Sequence, residues 1–204
     1  MTVTARRAAT RSKLLDGASR VVVRKGVGAA TVEDICEEAG FTRGAFYSNF
    51  ESKDDLLVAL LDHHGSRIND MARQVIERSQ INEDCDLNAV ISRAIHEFVD
   101  SGVIAPWVVV LMSELQTHAV REPSIREAFT RARVASQQAK ADMISSALAG
   151  HNLRLSLDGA TAMQVLEGAS NKYLLDQLSE GREPDLEGLV DVIHTVLTAL
   201  VVAQ

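Results

Sequence analysis

The sequence predicts an all-α protein of about nine helices. It divides into an N-terminal three-helix head over residues 8–68 and a helical body over residues 69–204. Three observations predict this class. Apolar residues recur at three- and four-residue spacing along most of the chain, which is the period of one helix face. Helix start and stop signals bracket those stripes. Proline occurs only 3 times and aromatic residues make up 4% of the chain, which suits helices better than sheets.

Residues 1–12 read as a flexible basic arm, and they lack the apolar run of a secretory signal. Ser12 to Lys25 reads as the first helix, with Leu14, Leu15, Ala18, Val21 and Val22 on its apolar side and Gly26 and Gly28 ending it. Thr31 is a good N-cap, and Asp34 three residues later completes a reciprocal capping pattern. Val32, Ile35, Cys36 and Ala39 then share a face, and Gly40 stands where a left-handed C-cap is wanted. Phe41 packs back, and Thr42 caps a short helix from Arg43 to Phe50. Phe46 and Phe50, four apart, share its buried face, which leaves Arg43, Gly44, Tyr47 and Ser48 outward. Gly44 in the first turn costs about 1 kcal/mol of helix propensity relative to Ala. A residue that costly marks close approach to something, and a DNA backbone is a natural candidate. Ser52 with Asp55 starts the next helix, with Lys53 in its first turn. That long helix carries Leu57, Leu60, Leu61, His64, Ile68, Met71, Val75 and Ile76 in a stripe.

The body begins with a polar loop at 79–86 and an amphipathic helix from Leu87 to Ser101. Trp107 to Met112 fits either a buried strand or a buried helix by periodicity. The helical continuation SELQTHAVRE, with no partner strand nearby, favours a buried helix. Pro123 opens a long helix to about Leu148, closed by Gly150. Two helices, Leu157–Leu178 and Leu186–Ala203, end the chain, separated by Gly181, Arg182 and Pro184.

Helix, four-residue turn and helix over residues 31–50 is the spacing of a helix-turn-helix, whose second helix enters the major groove. The stretch resembles the N-terminal domain of the TetR family of one-component transcriptional regulators. The resemblance rests on Thr31, Asp34, Ile35, Ala39, Gly40, Thr42, Gly44, Phe46, Tyr47, Phe50, Ser52, Lys53 and Leu56, and it covers about a quarter of the chain. Cys36 stands where the family often has Ala, and Val27, Val22 and Val23 where an aromatic is frequent.

The resemblance implies roles. Thr31 and Thr42 would hydrogen-bond phosphates at helix starts, Tyr47 would donate its hydroxyl to another, and Lys53 would pair with a further one. Arg43 would read guanine, Gly44 would permit close approach with Ala45 beside it, and Ser48 and Asn49 would contact the backbone. It also implies that the last two helices pair across a two-fold axis. The wide apolar stripe of the last helix points the same way. The interface would comprise Met163, Tyr173, Leu186, Leu189, Val190, Ile193, Val196, Leu197 and Leu200. Two heads would then meet half-sites about 34–36 Å apart on double-stranded operator DNA. A small-molecule effector in the body would change that separation. Polar candidates for its pocket are Trp107, Glu114, His118, Gln137, Gln164, Asn171 and Tyr173; apolar wall candidates are Phe98, Val110, Leu111, Phe129, Met163 and Leu166.

Net charge is −7, which by itself argues against DNA. The distribution reverses the impression: residues 1–50 carry a net +3 and the remainder −10, so the basic part coincides with the motif. No apolar run approaches the ~18 residues of a membrane span. The two cysteines, Cys36 and Cys85, suggest a reducing compartment, hence the cytoplasm. Three alternatives remain at this level. An enzyme is disfavoured, because no P-loop, dinucleotide fingerprint, nucleophile elbow or HExxH occurs and the six histidines show no metal-ligand spacing; no metal or cofactor is expected. A helical interaction protein would make Arg43 and Tyr47 dispensable. A redox sensor at Cys36 is a third, weakened by the apolar position of the thiol.

Overall fold

The computed structural model describes residues 3–78, 92, 95–96, 99–100, 105–149 and 152–203. Among them run eight helices: α1 (Val3–Ala29), α2 (Val32–Ala39), α3 (Arg43–Tyr47), α4 (Lys53–Arg78), α5 (Pro106–Arg121), α6 (Pro123–Ala149), α7 (Gly159–Ser179) and α8 (Leu186–Leu200). The predicted loop 79–86 lies outside the described residues, as does most of the predicted helix Leu87–Ser101. None of the described helices is long and apolar enough to cross a membrane.

Local chemistry sets most helix ends. Thr31 and Asp34 form the full capping box, and Gly40 closes α2 at φ 72°, ψ 35°. The Thr42 side chain accepts from Ala45 N–H to start α3, and Ser52 Oγ accepts from Asp55 N–H to start α4. Asp158 and Asp185 do the same for α7 and α8. The helix α1 is broken at Gly26, whose φ of 78° and ψ of 159° only glycine adopts without strain.

Three boundaries differ from expectation. The N-terminal arm is not an irregular tail: from Val3 it is the first turns of α1. Ala5, Ala8 and Ala9 favour helix there, and nothing in the stretch breaks one. The short helix stops at Tyr47, and Ser48 and Asn49 turn the chain before Phe50. At the far end, Val201–Ala203 leaves the helix and pairs antiparallel with Leu153–Leu155, as β2 and β1, with Leu155 opposite Val201. Two β-branched valines suit a strand. The ladder, with Ser156 N–H donating to Leu200 O at 2.7 Å, satisfies a carbonyl that the end of α8 would leave open.

The chain forms two compact units. The first contains residues 1–65 and 110–132, the second residues 66–109 and 133–204. In the first, Leu14, Ala18, Val21 and Val22 of α1 pack with Ile35, Phe46, Phe50, Leu56, Leu57 and Leu60. Leu111, Leu115, Ala119, Ile125 and Ala128 belong to the same core. The head is therefore completed by a stretch that sequence alone assigns to the body. Where α1 crosses α2, a Cβ on Gly17 would lie 2.9 Å from Ala39 Cβ, so the crossing admits no side chain there. His64 is buried in this core, and its Nε2 lies 3.1 Å from Ser19 Oγ.

The second unit has two apolar clusters. Leu189, Val190 and Ile193 of α8 pack with Leu174 of α7 and with Ile95, Val99 and Val109. Ala141 and Leu148 of α6 pack with Ala162 and Met163 of α7 and with Leu155 of β1. The run from Trp107 to Met112 is helical, as its continuation suggested.

Candidate nucleic-acid interface

The short helix α3 owes its orientation to two aromatic rings. Phe46 and Phe50 are buried with centroids 5.6 Å apart, and Tyr47 stands edge-on to Phe46. Burying Phe46 turns Arg43, Gly44 and Tyr47 to solvent, and Tyr47 is 51% exposed. A Cβ on Gly44 would find Thr42 Oγ1 at 3.8 Å as its nearest neighbour, an ordinary contact. Nothing inside the protein therefore requires glycine at this exposed position. Ser48 Oγ and Asn49 Nδ2 both donate to Ala45 O at 2.8 Å, so both side chains help to finish α3, with Ser48 exposed and Asn49 half-buried.

Basic residues far away in sequence hold this helix. Arg7 donates to Ser48 O at 3.1 Å and Arg11 to Asn49 O at 3.0 Å, while the Arg11 guanidinium sits 4.3 Å from the centroid of the Phe50 ring. Sequence reasoning gave both arginines to a flexible arm. The signal that could have found them is their i, i+4 spacing, which places both on one helical face. Lys53 donates to Val27 O at 3.0 Å and Ala30 O at 3.1 Å, which spends two of its three N–H donors inside the head.

The acids of α2 are distributed by partner. Asp34 pairs with Lys25 at 2.7 Å, Glu38 with Arg20 at 2.7 Å and Arg24 at 3.1 Å, and Glu33 with Arg43 at 2.7 Å. The Arg20 and Arg24 guanidiniums hold the Glu38 carboxyl below its ordinary value. The Arg43 guanidinium is held still more firmly in its charged form by the Tyr47 side chain and then by Glu33. Lys25, with Thr31, brings Asp34 from 3.8 down to about 2. A depressed folded-state value means that Asp34 contributes stability above about pH 4 and loses it as pH falls towards 2. The melting temperatures of the parent and Asp34→Asn should therefore differ at pH 5 and converge between pH 4 and 2. A constant difference across that window would show that the Lys25 pair contributes nothing. Burial pushes the Cys36 thiol upward, away from the reactive thiolate, so Cys36 behaves as a core residue.

The described residues expected around an effector are divided between the two units. Phe98 lies outside the described residues. In the first unit, Leu111 is fully buried and Phe129 packs in the head's own core. Glu114 accepts from Val27 N–H at 3.1 Å, the amide exposed by the break at Gly26. Val110 and His118 are half-buried. In the second unit, Gln137 is buried between Arg133 and Glu167, donating to Glu167 at 2.9 Å beside the Lys140–Glu167 ion pair. Trp107, Gln164 and Asn171 are exposed, and the Tyr173 hydroxyl donates to Asp185 at 3.0 Å. Met163 is buried, and Leu166 bridges the two clusters. The second unit instead contains an open cleft of about 370 Å³ lined by Asn69, Arg73, Ala139, Asp142, Met143 and Ser146. Their spacing, four apart on α4 and at three, four and seven residues after Ala139 on α6, is one face of each helix; it was legible but carried no distinctive chemistry.

The expected dimer residues divide similarly. Met163, Leu189, Val190 and Ile193 are buried within the chain itself, so they have no surface to offer a second copy. Tyr173, Val196, Leu197 and Leu200 are half-buried, and Leu186 is exposed. Val165 on α7 and Leu157 just before it are exposed apolar residues that the sequence reading did not select. The stripe on α8 is wide because one side of it packs on α7.

Comparison with known proteins agrees with this geometry. Residues 14–60 match the model of the family described as bacterial regulatory proteins, tetR family. The transcriptional regulator TtgR of Pseudomonas putida is 45% identical over 53 residues, 26% of this chain and 25% of its own length. The matched region thus spans about a quarter of that relative. The transcriptional activator FasR of Mycolicibacterium smegmatis is 28% identical over 157 residues, 76% of this chain and 68% of its own. The solved structure of the fatty acid degradation regulator FadR from Bacillus halodurans superposes with a TM-score of 0.72 at 19% identity, covering 92% of this chain and 94% of that one. The fold is shared over 92% of the chain with that solved structure, and the helix-turn-helix built on Thr31, Gly40, Thr42, Phe46 and Tyr47 is that of the TetR family of transcriptional regulators.

Proposed function

We propose that this chain is a ligand-responsive repressor that binds a palindromic operator as a homodimer and is released from it by a small molecule. The observation that carries the DNA-binding part is the outer face of α3. It offers Arg43, Gly44 and Tyr47 with Thr42 at its start, and its glycine has no steric reason within the fold. Thr31 and Thr42 accept backbone N–H bonds through their side-chain oxygens, which leaves each hydroxyl hydrogen for a phosphate. Tyr47 donates to a second phosphate, and the third N–H of Lys53 to another. Arg43 reads guanine O6 and N7. Ala45 lies alongside, and Ser48 and Asn49 serve by ending α3 in the right place.

Dimerisation is supported by the exposed apolar side chains Leu157, Val165 and Leu186 around α7 and α8. A two-fold pair of heads recognises two half-sites, and an effector that prefers one separation of the heads shifts the population away from the DNA-competent form. A DNA-binding domain like that of a regulator family argues against the enzymatic alternative.

The test is selection of a binding site from a random duplex library, followed by footprinting on the selected sequence. An inverted repeat protected by the protein supports the proposal; no enrichment overturns it. On the selected site, Arg43→Ala should cost about 1–3 kcal/mol and relax discrimination at one base position. An equal loss on every sequence would make Arg43 a phosphate contact instead.

A further inference from the structure

The acidic residues of α2 do not all serve the same purpose. Asp34 and Glu38 turn inward and tie α2 to Lys25, Arg20 and Arg24 of α1. Glu33 turns the other way. It sits in the first turn of α2, two residues after Thr31, and its carboxylate meets Arg43 of α3 at 2.7 Å. Both side chains remain exposed, at 58% and 63%. On its other side the Arg43 guanidinium lies 5.9 Å from the centroid of the Tyr47 ring. The one outward arginine of the motif is thus held between a carboxylate and an aromatic ring, on the face that the proposed function turns to DNA.

We infer that Glu33 is a specificity-determining residue: it holds Arg43 for base reading and penalises binding wherever no base engages that arginine. The inference rests on the DNA-binding reading above. A guanidinium has five N–H donors in a flat fork, so one edge can stay on a carboxylate while another meets guanine O6 and N7. Fixing the fork removes alternatives in which Arg43 swings to a phosphate and binds every sequence equally. The carboxylate adds a second effect. It lies within one helical turn of Thr31, where phosphate is expected, and repels the backbone at close range. On the correct site the guanine contact offsets that repulsion; elsewhere nothing does. Specificity built this way depends on the repulsive element as much as the attractive one.

An exposed ion pair contributes little to folding, so removing the charge should leave the fold intact. The experiment compares full-length parent, Glu33→Gln, Arg43→Ala and the double variant. Each is titrated with the duplex selected by the parent protein, with that duplex altered at each position in turn, and with a random-sequence duplex of equal length. Melting curves confirm folding. Glu33→Gln is expected to bind the random duplex about fivefold more tightly and to lose about tenfold in the ratio of selected to random affinity. In the Arg43→Ala background, Glu33→Gln should no longer change discrimination at the base that Arg43 reads. An unchanged ratio in Glu33→Gln, or effects of the two substitutions that simply add, would overturn the inference while leaving the DNA-binding reading in place. Failure of the parent to select any sequence would instead remove that reading and this inference with it.

Discussion

Replacing Phe46 by Ala is expected to destabilise the head by about 3–5 kcal/mol, the range for deleting a fully buried aromatic ring. Phe46 is 0% exposed and touches Phe50 and Tyr47, while its backbone forms part of a helix only five residues long. Such a helix has no stability of its own. It is held by the buried ring, by the Thr42 cap and by the two arginines on the carbonyls of Ser48 and Asn49 that follow it. Loss of the ring leaves a cavity next to Phe50 and removes the reason for α3 to face one way. Denaturant unfolding followed by amide exchange on α2 and α3 checks this: protection there should fall while protection in α7 and α8 persists. A loss below about 1 kcal/mol would mean that the surroundings collapse around the gap and that the ring does not orient α3.

Gly44→Ala should do the opposite, sparing the fold and impairing binding. The added methyl makes only an ordinary contact, 3.8 Å from Thr42 Oγ1, and exchanging glycine for alanine in a helix is worth up to about 1 kcal/mol of stability. The melting temperature should hold or rise. Affinity for the selected duplex should fall about tenfold or more, because a methyl wedged between packed surfaces costs about 1–3 kcal/mol. Melting and titration of the same preparation decide it. A variant that is more stable and binds normally would show that α3 does not approach DNA at Gly44.

The two variants separate what residues do for the fold from what they offer outward, and they also mark how far sequence reading reached. The stripe that predicted Leu14, Leu15, Ala18, Val21 and Val22 as core names buried residues in each case. The pairing of Phe46 with Phe50, and hence the outward direction of Arg43, Gly44 and Tyr47, followed from four-residue spacing alone. Pocket and dimer residues were far less legible. Glu114 looked like an isolated acid on an apolar helix. Its partner is an amide 87 residues away, exposed by a glycine break whose position was anticipated and whose geometry was not. Leu189, Val190 and Ile193 looked like surface for a second copy because a stripe cannot say whether its neighbour is α7 or another protomer.

What the sequence by itself determined is therefore the set of decisions made within about four residues. These are the capping box of Thr31 and Asp34, the left-handed Gly40, the caps at Thr42 and Ser52, the buried face of each helix, and the motif that identifies the family. Each is settled by hydrogen bonds or faces that close locally, so composition and spacing suffice. Only the tertiary structure decided that Arg7 and Arg11 hold α3 from 41 and 38 residues away, and that Lys53 serves the carbonyls of Val27 and Ala30. It also decided that residues 110–132 complete the head's core and that the chain's last valines pair as a strand with Leu153–Leu155. In those cases many partners would satisfy the same donor or the same apolar face. The choice among them is made by which segments packing brings together, and no local preference encodes it.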